Sequence, residues 1–183
     1  MFKKVVYNTL FQVGAKAITA SSTLIITLLI GKSLGPAGFG DFTKIFTFVG
    51  YFYTFSDFGL NSIFVKISNK DNSQKLFQLL VAVRLMLGLF FASAAVLISQ
   101  LLPYDPQSQV GFSPLVKTGI LIASFTIVTQ ALFTTANAIF QKKLKYDLSA
   151  ISAIIGASVV LTSTVIANLI GANILHFSLA YAF

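Results

Sequence analysis

Cysteine is absent from this chain, and with it any disulfide framework, thiolate nucleophile or thiolate metal site. Glutamate and tryptophan are absent too. The acidic residues are five aspartates in separate segments. They provide neither the paired carboxylates of acid–base catalysis nor an acidic metal cluster. The single histidine, His176, cannot assemble a histidine metal site alone. No catalytic residue, metal or cofactor is therefore expected, and the chain is read as something other than an enzyme. Charge is scarce as well: 10% of residues, where a soluble domain carries roughly a quarter.

Apolar residues fill the gap. They make up 56% of the 183 residues, and the mean hydropathy is +0.85. A soluble surface cannot be covered with so little polar material, so the fold class expected is all-α, a polytopic transmembrane helix bundle. The net charge of +8 is not a nucleic-acid signal. The basic residues are spread through short loops between apolar runs, as topogenic charges are, and form no aromatic-interleaved basic face.

Five complete spans are expected, at about 7–31, 42–67, 76–102, 115–140 and 148–170, with the start of a sixth at Ile174. Residues 1–183 read as one transmembrane domain. The sixth run stops too soon to cross a hydrocarbon core of about 30 Å, so the chain reads as an incomplete lobe. Lys3 and Lys4 before an apolar run resemble a secretory signal, but the run is too long for one and carries Lys16. The stretch 31–42, with four glycines and Pro36, is expected to be a tight turn. Its Gly31-Lys32-Ser33 lacks the upstream glycine of a phosphate-binding loop, Ile26 standing there instead.

Loop charges set the orientation. With the N-terminus cytoplasmic, inside segments carry Lys3, Lys4, Lys66, Lys70, Lys75, Lys142, Lys143 and Lys145, and outside segments only Lys32, Lys44 and Lys117. That asymmetry favours an N-terminus inside.

Three charges remain inside spans: Lys16, Asp57 and Arg84. Each lies about eight to ten residues from the cytoplasmic end of its span, roughly 12–15 Å deep at 1.5 Å per residue. A carboxylate at that depth costs a few kcal/mol on insertion scales and needs a cation or a water-filled cavity beside it. Two readings are open. Lys16 and Arg84 snorkel to the headgroups while Asp57 pairs with one of them, or the three form a cavity layer with surplus positive charge that binds phosphate. On the fourth span Gln130, Thr134 and Asn137 recur at helical spacing, and are expected to form a polar stripe toward the same cavity.

Four features together resemble a known family: the basic start, the first span, the turn Leu34-Gly35-Pro36-Ala37-Gly38-Phe39-Gly40, and Asp57-Phe58-Gly59-Leu60 in the second span. They are similar to the polysaccharide biosynthesis flippases, the Wzx-type O-antigen and teichuronic-acid translocases of the multidrug/oligosaccharidyl-lipid/polysaccharide exporter superfamily. The resemblance implies a two-lobe transporter of the bacterial inner membrane, of which this chain is most of the N-terminal lobe. It implies alternating access with a lipid-linked oligosaccharide as cargo, membrane lipids around it, and a polysaccharide polymerase and other assembly proteins as partners. On this reading Lys16 and Arg84 hold the phosphate headgroup and Asp57 positions them. The alternative within the superfamily is a drug or cation antiporter using Asp57 for proton or sodium coupling.

Overall fold

The computed structural model describes residues 2–57, 59–68 and 73–182, with side chains from Thr9 onward. Lys3, Lys4, Phe58 and Lys70, all named above, have side chains outside that set. The described residues form six helices: α1 Phe2–Asp57, α2 Leu60–Ile67, α3 Ser73–Leu101, α4 Pro114–Lys142, α5 Tyr146–Leu169 and α6 Ile174–Ala182. A two-stranded hairpin, β1 Tyr104–Asp105 with β2 Val110–Gly111, joins α3 to α4.

Four helices are long and apolar enough to cross a membrane, and the first of them is folded in two. Fifty-six residues of straight helix would run about 84 Å, more than twice a hydrocarbon core. Gly35 interrupts α1 with φ 67° and ψ 178°, a backbone region open essentially to glycine alone. Pro36 follows at the start of the second arm, where its missing N–H costs nothing. The two arms turn back on each other. Ile26 and Thr47 line one cleft, though they would stand about 30 Å apart along an unbroken helix. The arms of α1 with α3, α4 and α5 therefore supply the five crossings, and α6 begins the sixth run. The glycine-rich stretch expected to be a turn of twelve residues needs only one. Leu34 and Pro36 are already helical, because a single residue outside the L-region reverses the chain.

α4 is the centre. Its buried residues Val116, Ile120, Ala123, Ile127, Ala131, Thr135 and Ala138 follow a three-to-four spacing, and it packs against all five other helices. Several of these are small, which lets helices approach closely where lipid removes the hydrophobic drive for association. Ser113 caps α4 by accepting from the Val116 amide at 3.2 Å, with Pro114 in the first turn. Outward, Leu24, Leu28, Met86, Leu89, Phe90 and Leu97 are exposed. A bundle with small residues inside and large apolar ones outside is built for lipid, and the protein is a multi-pass membrane bundle.

The hairpin is tied down by a lysine counted above only as a loop charge. Lys44 Nζ donates to the Gly111 carbonyl at 2.9 Å and pairs with Asp41 at 3.2 Å. Beside it, Lys117 Nζ donates to the Gln100 carbonyl at 3.1 Å and joins the start of α4 to the end of α3. In the turn, the Ser108 hydroxyl and the Gln107 amide donate to Asp105 and hold its carboxyl below the usual carboxylate range.

Candidate functional site

α3 turns one stripe toward its neighbours: Leu80, Arg84, Gly88, Ala95 and Ser99. Arg84 is thus carried inward by the same spacing that buries leucine and alanine, and only 1% of it is exposed. One turn on, the α-carbon of Gly88 lies so near α4 that a Cβ there would be 3.5 Å from that of Ala131. This close approach brings Thr135 of α4 opposite the guanidinium.

Asp57 reaches the same place from a helix end. α1 stops at Asp57, Gly59 adopts a left-handed conformation with φ 64°, and α2 starts at Leu60. The second span, expected to continue to Ile67, is therefore broken at its carboxylate. Arg84 Nη2 donates to Asp57 Oδ1 at 2.6 Å, the short distance of a charge-assisted bond. Arg84 Nη1 donates to Thr135 Oγ1 at a long 3.4 Å, while the Thr135 hydroxyl donates to the Ala131 carbonyl at 2.6 Å. Arg84 Nε is buried with no partner among the described residues. The Asp57 side chain is 41% exposed, so the pair is closed on the arginine side and open on the carboxylate side. Beside it, Asn61 Nδ2 donates to the Thr134 carbonyl at 3.1 Å and fastens α2 to α4.

These groups form a polar layer between two apolar cores. On one side lies the cluster that includes Val49, Ala95 and Ile127; on the other lie Phe64, Leu80 and Ala138. Beyond the smaller core, Lys142 Nζ donates to the hydroxyls of Ser68 and Ser73, the latter at 2.5 Å, and lies 5.7 Å from the Phe64 ring centroid. It joins the end of α2 to the start of α3.

The remaining named residues are placed elsewhere. Lys16 is exposed and makes no ion pair among the described residues. Its neighbour Ala15 occupies the inward position on the first arm, and one residue of helix turns Lys16 about 100° away. Gln130, Thr134 and Asn137 do share a flank of α4, but Thr135, one residue further round, is the one that meets Arg84. The Thr134 hydroxyl donates to the Gln130 carbonyl at 2.8 Å. Asn137 Oδ1 accepts from the Ser149 hydroxyl at 2.7 Å, joining α4 to α5. Gln130 lines a cavity of about 480 Å³ bounded by the first arm of α1, α4, α5 and α6. Sequence reasoning did not find Thr135 or Asn61. The available signal for Asn61 was a polar residue two positions after a glycine in an apolar run.

Residues 29–182, from the end of the first arm of α1 through α6, match the family described as polysaccharide biosynthesis protein. The chain belongs to that family. No curated protein and no solved structure gives a significant match. Asp57, Arg84, Thr135 and Gln130 all fall within the part that makes this a polysaccharide biosynthesis protein, and Lys16 falls before it. The arrangement offers charge and hydrogen-bond recognition. A guanidinium is held by one carboxylate and one hydroxyl, with a third N–H in reserve. Among the described residues, no group of three or more histidines, cysteines or carboxylates could hold a metal ion.

Proposed function

We propose that this chain is the greater part of one lobe of a flippase that moves a lipid-linked oligosaccharide across the bacterial cytoplasmic membrane by alternating access. Its N-terminus faces the cytoplasm, as the lysine asymmetry of the loops favours. Family membership supports a place in polysaccharide assembly. The bundle, with no catalytic constellation in its sequence, supports a transport step within that process. The product passes to a polymerase and other assembly proteins.

The observation that carries the reading is the buried Arg84, paired at 2.6 Å to a carboxylate that is itself open to the outside of the lobe. A phosphate or diphosphate headgroup arriving beside Asp57 competes for the guanidinium, and Arg84 Nε offers it a further donor. The exchange keeps the buried guanidinium paired, and the displaced Asp57 carboxylate, 41% exposed, is left on the open side of the pair. It also releases the end of α1 from α3, coupling headgroup binding to movement. Lys16, exposed on the first arm and away from this pair, keeps only the role of a second cation that a mobile headgroup meets. A drug or cation antiporter would instead load a proton or sodium ion on Asp57 in competition with Arg84, which holds its Oδ1.

The test is export of surface polysaccharide by the full-length protein carrying Arg84→Ala, Lys16→Ala or Arg84→Lys, with membrane abundance measured alongside. Arg84→Ala at normal abundance is expected to abolish export, and Arg84→Lys to retain part of it, since a lysine keeps the charge but loses the fork. Wild-type export from both alanine variants refutes the headgroup assignment.

A further inference from the structure

Between α2 and α3 lies a narrow groove of about 130 Å³, away from α6, which packs against α4, α5 and α1. Ile63 and Ile67 of α2 face Leu79 and Val83 of α3 across it, over a floor of Phe64 and Leu80. Every side chain that lines it is hydrocarbon. Ile63, Ile67 and Leu79 are more than half exposed, so the groove opens outward. Its origin is the break at Gly59: α2, parted from α1 there and fastened to α4 through Asn61, stands beside α3 without closing on it.

The two ends of the groove differ. At the inner end Leu60 and Val83 adjoin Gly59 and Arg84 in the chain, so the groove stops at the polar layer. The outer end is formed by Ile67 and Leu76, about 10 Å away along either helix. Next to each of these in sequence stands a lysine, Lys66 and Lys75, exposed and without an ion pair among the described residues. Lys142, bonded to Ser68 and Ser73, brings the loop after α4 to the same end. Residues 66–75 and 142–147 together carry six lysines against two aspartates, Asp71 and Asp147. This is the end that the orientation proposed above directs to the cytoplasm.

A helix with its side chains is about 10–12 Å across and does not enter so narrow a slot, whereas one hydrocarbon chain does. A gap left empty forfeits dispersion contacts along its lining, and in a bilayer the material at hand to fill it is lipid. The tail alone gives no preference, because it gains nothing by leaving other tails. Selection falls to the mouth, where cations near the membrane surface attract acidic headgroups. We propose that the α2–α3 groove is a site for an acidic phospholipid of the cytoplasmic leaflet, with one acyl chain between α2 and α3 and the phosphate held by Lys66 and Lys75. An apolar slot under a cationic mouth matches the order of that leaflet, head outward and tail inward. A cargo lipid held in this groove by its headgroup at Arg84 would lie the other way round, so the site is a second one and stands independently of the flippase reading.

The experiment uses the full-length protein in phosphatidylcholine nanodiscs carrying a trace of phosphatidylglycerol with a photoactivatable diazirine in one acyl chain. Adducts are mapped by peptide mass spectrometry. Labelling is expected in residues 60–67 and 76–83, displaced by unlabelled phosphatidylglycerol in the disc and unmoved by inorganic phosphate at constant ionic strength. Lys66→Gln and Lys75→Gln should each lower it about five-fold, while Lys32→Gln at the opposite end leaves it unchanged. Diazirine phosphatidylcholine with the same chains should label no more than the lysine variants do. Ile63→Trp, which fills the groove, should remove the labelling; if that variant does not fold, the lipid competition and the lysine variants decide alone. Equal labelling by the two lipids makes the groove ordinary bilayer contact and overturns the site. Displacement by inorganic phosphate also overturns it, assigning the lysines to a soluble anion, and so does labelling indifferent to both lysine variants.

Discussion

α4 serves two regions that solve the same problem differently. Toward α3 it offers Thr135 to a charged pair; toward α5 it offers Gln130 to an uncharged cavity. The charged region is closed on Arg84, and the neutral one stays open with its hydroxyls bonded to their own helices. In a low-dielectric interior, charge is tolerated only in matched pairs, which tightens packing. Neutral polar side chains can satisfy themselves locally, and space is left beside them. Structural stiffness should therefore concentrate at the charged layer and be nearly absent from the cavity wall.

The largest effect is expected from Arg84→Leu. It leaves Asp57 without its cation and should lower unfolding stability in detergent by about 3 kcal/mol. The double variant Asp57→Leu/Arg84→Leu should recover most of that loss. A double variant no more stable than the single one breaks the contrast, because the layer would then not act as a pair. Next comes Gly35→Val, which forces a branched side chain into the glycine-only region and should cost about 2 kcal/mol in the same assay. An unchanged midpoint would mean that the reversal does not depend on that conformation. Gln130→Ala sharpens the comparison from the other side, with stability expected within about 0.5 kcal/mol of wild type. A drop as large as that of Arg84→Leu would make the cavity wall structural.

The smallest effect is at the hairpin. Asp105 is held below its ordinary pKa, so its contribution to stability is fully present above the unfolded value of about 4 and fades as pH falls through the lower folded value. Amide protection in residues 104–111, the exchange rate compared with the intrinsic rate at the same pH, should fall below about pH 4 in the wild type. Asp105→Asn should show the lower protection already at neutral pH, without that acid step. The same acid step in both would assign it to another group.

Much of this was legible in the sequence, for an identifiable reason. Lipid permits few architectures, so apolar runs give helices. α3, α4 and α5 begin and end within three residues of the spans read from hydropathy. The cost of a lone carboxylate in an apolar segment likewise pointed Asp57 toward a cation, Lys16 or Arg84, and the structure pairs it with Arg84. Other features depended on single backbone angles that composition does not encode. Gly35 and Gly59 both take positive φ, yet one reverses a helix and the other only breaks one. Lys16 was placed by depth alone, and depth does not say which way a helix is rotated. The stripe Gln130, Thr134 and Asn137 was a real flank of α4, but a helix has several flanks, and only the packing of α3 chose the one bearing Thr135.

The position of α4 has one more consequence. A rod in touch with all its neighbours cannot swing without dragging every one of them, so it is the axle of the bundle. In the alternating access proposed above, whatever opens or shuts would hang around it, with the break at Gly59, bolted to that axle by Asn61, as a joint.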